Sequence, residues 1–154
     1  METQIKATIK KLRIQYGLYL VIAVLIMVLY QTGVILEGAY AYDDTMRYAL
    51  ETTGIIATMA LVPVSLKLFS IKLVKRIQSA PLEEALKRYM RWSTVRLMLL
   101  ALATYLNIMI FYMVLSNVGG LCALIGVTAS LFCLPGEKRM REELNLITNN
   151  EDKE

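Results

Sequence analysis

Apolar residues along this chain form four continuous blocks separated by charge-rich stretches. In a soluble domain they would instead recur on one helix face or alternate along a strand. The blocks cover residues 16–36, 49–68, 97–115 and 119–134. A helix needs about 20 apolar residues to cross a bilayer, and lipid offers no partner to an unpaired backbone group. The pattern therefore predicts an all-α fold, an integral membrane bundle of four helices in a single domain.

The distribution of basic residues predicts how this bundle is oriented. Of the 17 lysines and arginines, 16 fall before the first block, between the second and third, or after the fourth, when Lys67 at the end of the second block is counted with the second region; the exception is Arg47. These three regions share one side of the membrane, which the positive-inside rule assigns to the cytoplasm. We therefore expect both termini inside, most simply at a bacterial cytoplasmic (inner) membrane. The outer side would hold only the connection 37–48 and a turn at 116–120.

Two charged stretches beside the blocks have the apolar spacing of helices. The N-terminal arm carries Ile5, Ile9 and Leu12 on one stripe, which predicts a helix continuous with the first span. Residues 70–96 are too charged to cross lipid and form a basic cytoplasmic loop in this interpretation, with residues 135–154 as a cytoplasmic tail. Within the loop, Ser79 is a candidate N-cap for a helix starting at Pro81. Its apolar stripe would lie on the membrane surface.

The basic loop is the candidate surface for the anionic headgroups of the cytoplasmic leaflet. The residues assigned to these contacts are Lys72, Lys75, Arg76, Lys87, Arg88 and Arg91. Aromatic residues near the block ends are typical of an interfacial belt. They are Tyr16, Tyr19, Tyr30, Tyr40, Tyr42, Tyr48, Tyr89 and Trp92.

Polar side chains inside the blocks are the candidates for transport or for polar packing, because such groups are costly in lipid. They are Glu51, Thr58, Thr104, Tyr105 and Asn107. For Glu51 the alternatives are a boundary ion pair with Arg47 and a carboxylate that binds a proton or cation. For Asn107 they are a hydrogen bond to another helix and a substrate contact.

The fourth block contains a stripe of small residues, which lets helices approach closely. The stripe consists of Gly119, Ala123, Gly126 and Ser130. Cys122 and Cys133 lie in the same block, about 16 Å apart along a helix, so they cannot form a disulfide with each other.

The chain has no histidine, which removes the commonest general base and metal ligand. It also has no Walker A, G-x-G-x-x-G or G-x-S-x-G sequence. We therefore expect no catalytic, cofactor-binding or metal-binding residue, no enzymatic activity and no nucleic-acid partner. The predicted function is a noncatalytic regulator, assembly factor or subunit that associates with membrane partners or with copies of itself. The alternative is a small oligomeric transporter or channel for an ion or small solute.

Overall fold

The computed structural model describes residues 2–67, 81–134, 136–138 and 140. They form a bundle of four main α-helices, which we number in chain order. These are α1 (Glu2–Gln31), α2 (Asp44–Lys67), α3 (Leu82–Val114) and α4 (Asn117–Leu131). Helix α3 packs against each of the other three, and its own buried residues extend from Ala85 to Val114. The prediction of an all-α four-helix bundle is confirmed.

Three of these helices are long and apolar enough to cross a membrane. Their most apolar windows have mean hydropathies of 2.1 in α1, 1.5 in α2 and 2.1 in α3. Helix α4 is apolar but has only 15 residues, a length of about 22 Å. The chain therefore has the helices of a multi-pass membrane protein, with three full-length candidate spans and one short apolar helix.

Helix boundaries differ from the apolar blocks most strongly at the start of α3. This helix runs unbroken for 33 residues from Leu82, so the helix predicted to start at Pro81 is continuous with the third apolar block and is not a separate segment. Pro81 is the N-cap, with an extended backbone and no side-chain capping bond. The predicted cap Ser79, and the rest of 68–80, lie outside the described residues. The charged residues before Leu97 set the start of the apolar block, but they do not interrupt the helix, which begins 15 residues earlier.

Helices α1 and α3 run parallel along a shared seam. The buried positions of α1 follow alternating spacings of four and three as far as Ala23, and partly buried Ile26 continues the pattern to Tyr30. This is the 3.5-residue period of a left-handed supercoil. The buried positions are Ile5, Ile9, Leu12, Tyr16, Tyr19, Ala23 and Tyr30. Ile5 packs near Leu86 at one end of the seam, and Tyr30 stacks on Tyr112 at the other, with ring centroids 4.7 Å apart.

This seam changes the interpretation of the amphipathic segments. The apolar stripe at the start of α3 covers the N-terminal arm instead of lying on the membrane surface. Leu86 and Tyr89 are each 4% exposed and cluster with Ile5, Ile9 and Met140. Each stripe buries its apolar side chains against the other, so the two helices extend as a pair beyond their most apolar residues.

Helix α4 returns antiparallel to α3. Gly119 lies beside Phe111 near the start of α4, and Gly126 lies beside Thr104 one half-helix further along. Beyond α4, Met140 is 1% exposed within the same cluster as Ile5. The start of α1 and the chain that follows α4 therefore meet at the same end of the bundle. Residues 141–154 lie outside the described residues.

At the opposite end, the connection between α1 and α2 caps α3. Gly38 and Tyr40 donate their backbone N–H groups to the carbonyls of Tyr112 and Met113, at 2.8 and 3.1 Å. These carbonyls belong to the last turn of α3, where no intrahelical donor remains. Leu115, with φ of 54°, then reverses the chain, and Ser116 caps α4 by accepting a hydrogen bond from Val118 N.

The predicted aromatic belt requires rings that are exposed on the outside of the bundle. Tyr42 and Tyr48 are 99% and 73% exposed, as an interfacial position requires. Four others are buried within the bundle instead, namely Tyr16, Tyr19, Tyr30 and Tyr89. These four rings do not face lipid: the seam spacing places Tyr16, Tyr19 and Tyr30 between helices, and Tyr89 of α3 packs in the cluster with Ile5.

Candidate functional site

A set of buried or partly buried polar side chains lies in the middle of the bundle, and we call it the polar layer. Its members come from all four helices. They are Tyr16 and Tyr19 of α1, Thr58 of α2, Thr104, Tyr105 and Asn107 of α3, and Ser130 of α4. Four of the five predicted polar candidates are therefore in one region. The fifth, Glu51, is not.

Asn107 links α3 to α2. It is 0% exposed, and its amide nitrogen donates to Thr58 Oγ1 at 2.9 Å and to the Ala103 carbonyl at 2.8 Å. Thr58 in turn donates to the Gly54 carbonyl at 2.9 Å. The amide oxygen of Asn107 has no hydrogen-bond partner among the described residues and faces the backbone of Gly54. A Cβ at Gly54 would lie 2.5 Å from this oxygen, so only glycine fits here without a shift.

Thr104 links α3 to α1 and faces α4. Its hydroxyl lies 3.1 Å from the Tyr19 hydroxyl, and it is 0% exposed. On the α4 side, a Cβ at Gly126 would lie 2.5 Å from Thr104 Oγ1. The neighbouring Tyr105 donates its hydroxyl hydrogen to the Tyr19 carbonyl at 2.8 Å. Three helices therefore approach closely around a single threonine.

Tyr16 extends the layer toward the end where both termini lie. Its hydroxyl is 3.4 Å from Ser130 Oγ, which also donates to the Val127 carbonyl at 2.6 Å. The rings of Tyr16 and Tyr19 are 5.9 Å apart, and those of Tyr19 and Tyr105 are 5.7 Å apart. A cavity beside Tyr16 holds only about 10 Å³, which is close to the lower limit for a single water molecule.

Glu51 lies at the end of the bundle that carries the α1–α2 connection. It accepts a hydrogen bond from Arg47 Nε at 3.3 Å, four residues earlier on α2. The two side chains are 20% and 47% exposed. The observed geometry is an i, i+4 ion pair with Arg47, and the hydrogen bonds of the polar layer do not include Glu51.

The small residues of α4 lie against α3. Gly119, Ala123, Gly126 and Ser130 are all buried. A Cβ at Gly119 would lie 2.7 Å from the backbone nitrogen of Phe111. Backbone contact at one glycine and a hydroxyl contact at the other show that this stripe brings α4 close to α3 over about two turns.

Of the predicted headgroup contacts, Lys87, Arg88 and Arg91 lie exposed on the first turns of α3. Arg88 forms an ion pair with Glu84. Lys72, Lys75 and Arg76 lie outside the described residues. Arg96, which sequence analysis grouped with the same basic loop, is only 3% exposed.

The polar layer has little capacity for acid–base or metal chemistry. Its groups are phenols, alcohols and one amide, and within the described part of the chain no three acidic or cysteine side chains gather as metal ligands. What the layer can do is join helices, since each such hydrogen bond contributes about 0.6 kcal/mol on average in a membrane protein.

Sequence analysis missed Tyr16 and Tyr19 as members of this layer. The available signal was the 3.5-residue spacing that continues from Ile5 through Tyr30. Position near the end of a block argued for the belt, whereas the heptad period places both rings on the seam with α3.

Comparisons with known proteins add no family or relative. No protein-family model, curated protein or solved structure matches the chain.

Proposed function

We propose that this protein is a noncatalytic membrane bundle that acts by associating with other membrane components, as a regulator, assembly factor or small subunit. The observation that carries the proposal is that the hydroxyl groups of the polar layer bond to one another and to backbone carbonyls inside the bundle. The hydroxyls of Tyr19, Thr58, Thr104 and Tyr105 each have a hydrogen-bond partner within the bundle. Groups that hold helices together in this way are not presented to a solute.

The polar layer contains no acidic or basic side chain; among the described residues, the buried cation Arg96 (3% exposed) lies about two turns before Thr104 on α3. Glu51 is the only acidic residue in the helical part of α2 beyond its first turn, and it is paired with Arg47 at the bundle end. Intramembrane acidic or basic residues ordinarily mark ion and proton pathways. This arrangement supports association over the alternative of a small oligomeric transporter.

For orientation, we propose that the end holding both described chain ends faces the cytoplasm, with α4 as a fourth crossing. The exposed basic residues Lys6, Lys10 and Lys11 lie at this end, as the positive-inside rule requires. Helix α4 is short for a crossing, but beyond it Met140 lies in the Ile5 cluster at this end of the bundle. A locally thinned bilayer would accommodate its length.

The direct test is purification of the tagged chain from its native membrane in a mild detergent. Crosslinking before solubilisation should recover a membrane component at a fixed ratio to the chain, or the chain itself as a defined oligomer. The variant Gly17→Ala serves as a control for an α1 substitution without steric effect. It should leave the assembly unchanged, because a Cβ there meets nothing within 4 Å.

A purified chain that is monomeric, without any component at fixed ratio after crosslinking, would contradict the proposal. The same preparation, reconstituted alone, distinguishes the transporter alternative. Specific flux of an ion or small solute would favour that alternative directly.

A further inference from the structure

A basic recess lies on the exposed face of α1, at the end of the bundle that holds both described chain ends. It has a volume of about 430 Å³ and is lined by Lys6, Ile9, Lys10, Arg13, Ile14 and Glu137. The three cations are at positions i, i+4 and i+7, so they project from one face of α1. With Glu137 included, the lining carries a net charge of +2.

The recess lies at the boundary between charged and apolar surface. Beyond Arg13, the outward residues Ile14, Leu18 and Val21 are 62%, 58% and 62% exposed. Apolar side chains this exposed are suited to lipid chains and not to water. Lys10 and Ile14 are one helical turn apart, about 6 Å along the axis, so a single lipid molecule can reach both the cations and the apolar surface.

The cations of the recess are not occupied by ion pairs of the kind seen elsewhere. The described part of the chain forms two ion pairs, Arg47–Glu51 and Arg88–Glu84, and neither uses Lys6, Lys10 or Arg13. All three side chains are exposed. Their charge is therefore available to an external anion next to an apolar surface.

We propose that this recess binds the headgroup of an anionic phospholipid with two phosphodiesters, of the cardiolipin class, whose acyl chains lie along Ile14 and Leu18. The net charge of +2 matches two phosphates, and basic pockets beside membrane helices suit such headgroups. Lys6, Lys10 and Arg13 hold the phosphates, and Ile9 and Ile14 contact the glycerol and upper acyl carbons. This inference rests on the proposed orientation and names one of the membrane components with which the bundle associates.

A second recess at the same end provides the comparison. It holds about 250 Å³ and contains Lys11 and Lys87 together with Glu83, Gln4 and Thr8. Its net charge is +1, and Gln4 Nε2 donates to Glu83 Oε1 at 3.3 Å. Substitution of Lys11, Lys87 and the exposed Arg91 removes three positive charges from this end of the bundle. Substitution of Lys6, Lys10 and Arg13 removes the same number.

The test uses the full chain in a neutral detergent, titrated with cardiolipin and followed by native mass spectrometry and melting temperature. The variant K6Q/K10Q/R13Q should weaken binding of the first cardiolipin by about 10- to 100-fold. The control K11Q/K87Q/R91Q removes two of the general headgroup contacts expected from the sequence and leaves the recess intact. It should change binding of the first cardiolipin by less than about threefold, because a neutral detergent presents no anionic surface to these residues. The charge-preserving variant K6R/K10R/R13K should bind like the wild type.

Equal weakening by both triple variants, or no weakening by the first, would overturn the proposal. If the first triple variant does not purify as a folded protein, Lys10→Gln is compared with Lys11→Gln, with an expected loss of about fivefold for Lys10→Gln alone. Equal binding of phosphatidylglycerol at matched phosphate would overturn the selection for two phosphates. Displacement of cardiolipin by inorganic pyrophosphate would overturn the lipid as ligand and indicate a soluble phosphate compound.

The binding measurement is independent of the test of the proposed function. Cardiolipin binding by a purified chain that has no protein partner and forms no oligomer would keep this site while the protein-association proposal fails. A protein partner recovered with a chain indifferent to cardiolipin would give the reverse result.

Discussion

Replacement of Gly126 by alanine tests whether close approach of α4 and α3 holds this bundle together. The new Cβ would lie 2.5 Å from Thr104 Oγ1, which already hydrogen-bonds to the Tyr19 hydroxyl at 3.1 Å. Thr104 is β-branched and 0% exposed, so its hydroxyl cannot rotate away freely. The added methyl must therefore separate the helices or break the bond to Tyr19.

The expected cost combines two contributions. Overpacking of a tight interior costs about 1–3 kcal/mol, and loss of a hydrogen bond between membrane helices adds about 0.6 kcal/mol. We therefore expect Gly126→Ala to lower the free energy of unfolding by about 2–4 kcal/mol. Thr104→Ala removes the obstructing hydroxyl, so the cost of Gly126→Ala should fall below about 1 kcal/mol in that background.

The assay is reversible unfolding in mixed detergent micelles, applied to both single variants and the double variant. Gly17→Ala is the matched control, because its Cβ meets nothing within 4 Å and alanine is the better helix former. It should be neutral or slightly stabilising. If Gly126→Ala is tolerated as well as Gly17→Ala, or costs the same with and without the Thr104 hydroxyl, the packing argument is refuted.

Three further predictions concern the other close approaches and the orientation. Gly54→Ala should lower the melting temperature, since the new Cβ would lie 2.5 Å from the buried amide oxygen of Asn107; an unchanged melting temperature would place α2 further from α3. Gly38→Ala should destabilise more than Gly33→Ala in the same thermal assay, because both have positive φ but only Gly38 also meets a leucine side chain, at 2.9 Å; equal effects would remove any role for that contact. In a cysteine-free background, Asp44→Cys should react with an impermeant maleimide outside intact cells, and Thr3→Cys only after permeabilisation, whereas external labelling at Thr3 would reverse the orientation.

The helical content and the number of main helices follow from apolar block length, because lipid leaves the backbone few alternatives. The helix ends do not follow in the same way. The charge-rich segment 82–96 lies before the third apolar block, yet it forms the first half of α3, because its apolar stripe is buried against α1. A block boundary marks where the sequence changes from apolar to charged, whereas the end of the helix depends on how its residues pack against other helices.

The polar candidates were predictable by residue type, but their partners were not. Depth in a block singled out Asn107 and Thr104, whereas their bonds to Thr58 and Tyr19 depend on how helices distant in sequence are placed side by side. Tyr19 was assigned to the belt because its distance from the block end resembles that of an interfacial residue. Only the seam period, read over seven positions of α1, separates these two roles.

Flux through proteoliposomes that contain this protein alone tests the account's central claim most directly. The account predicts proton and ion flux no greater than that of empty liposomes, because the polar layer joins helices and does not line a path. Flux that is abolished by Asn107→Leu or Glu51→Gln, and kept by Gly17→Ala, would contradict the claim and assign the transport site to those residues.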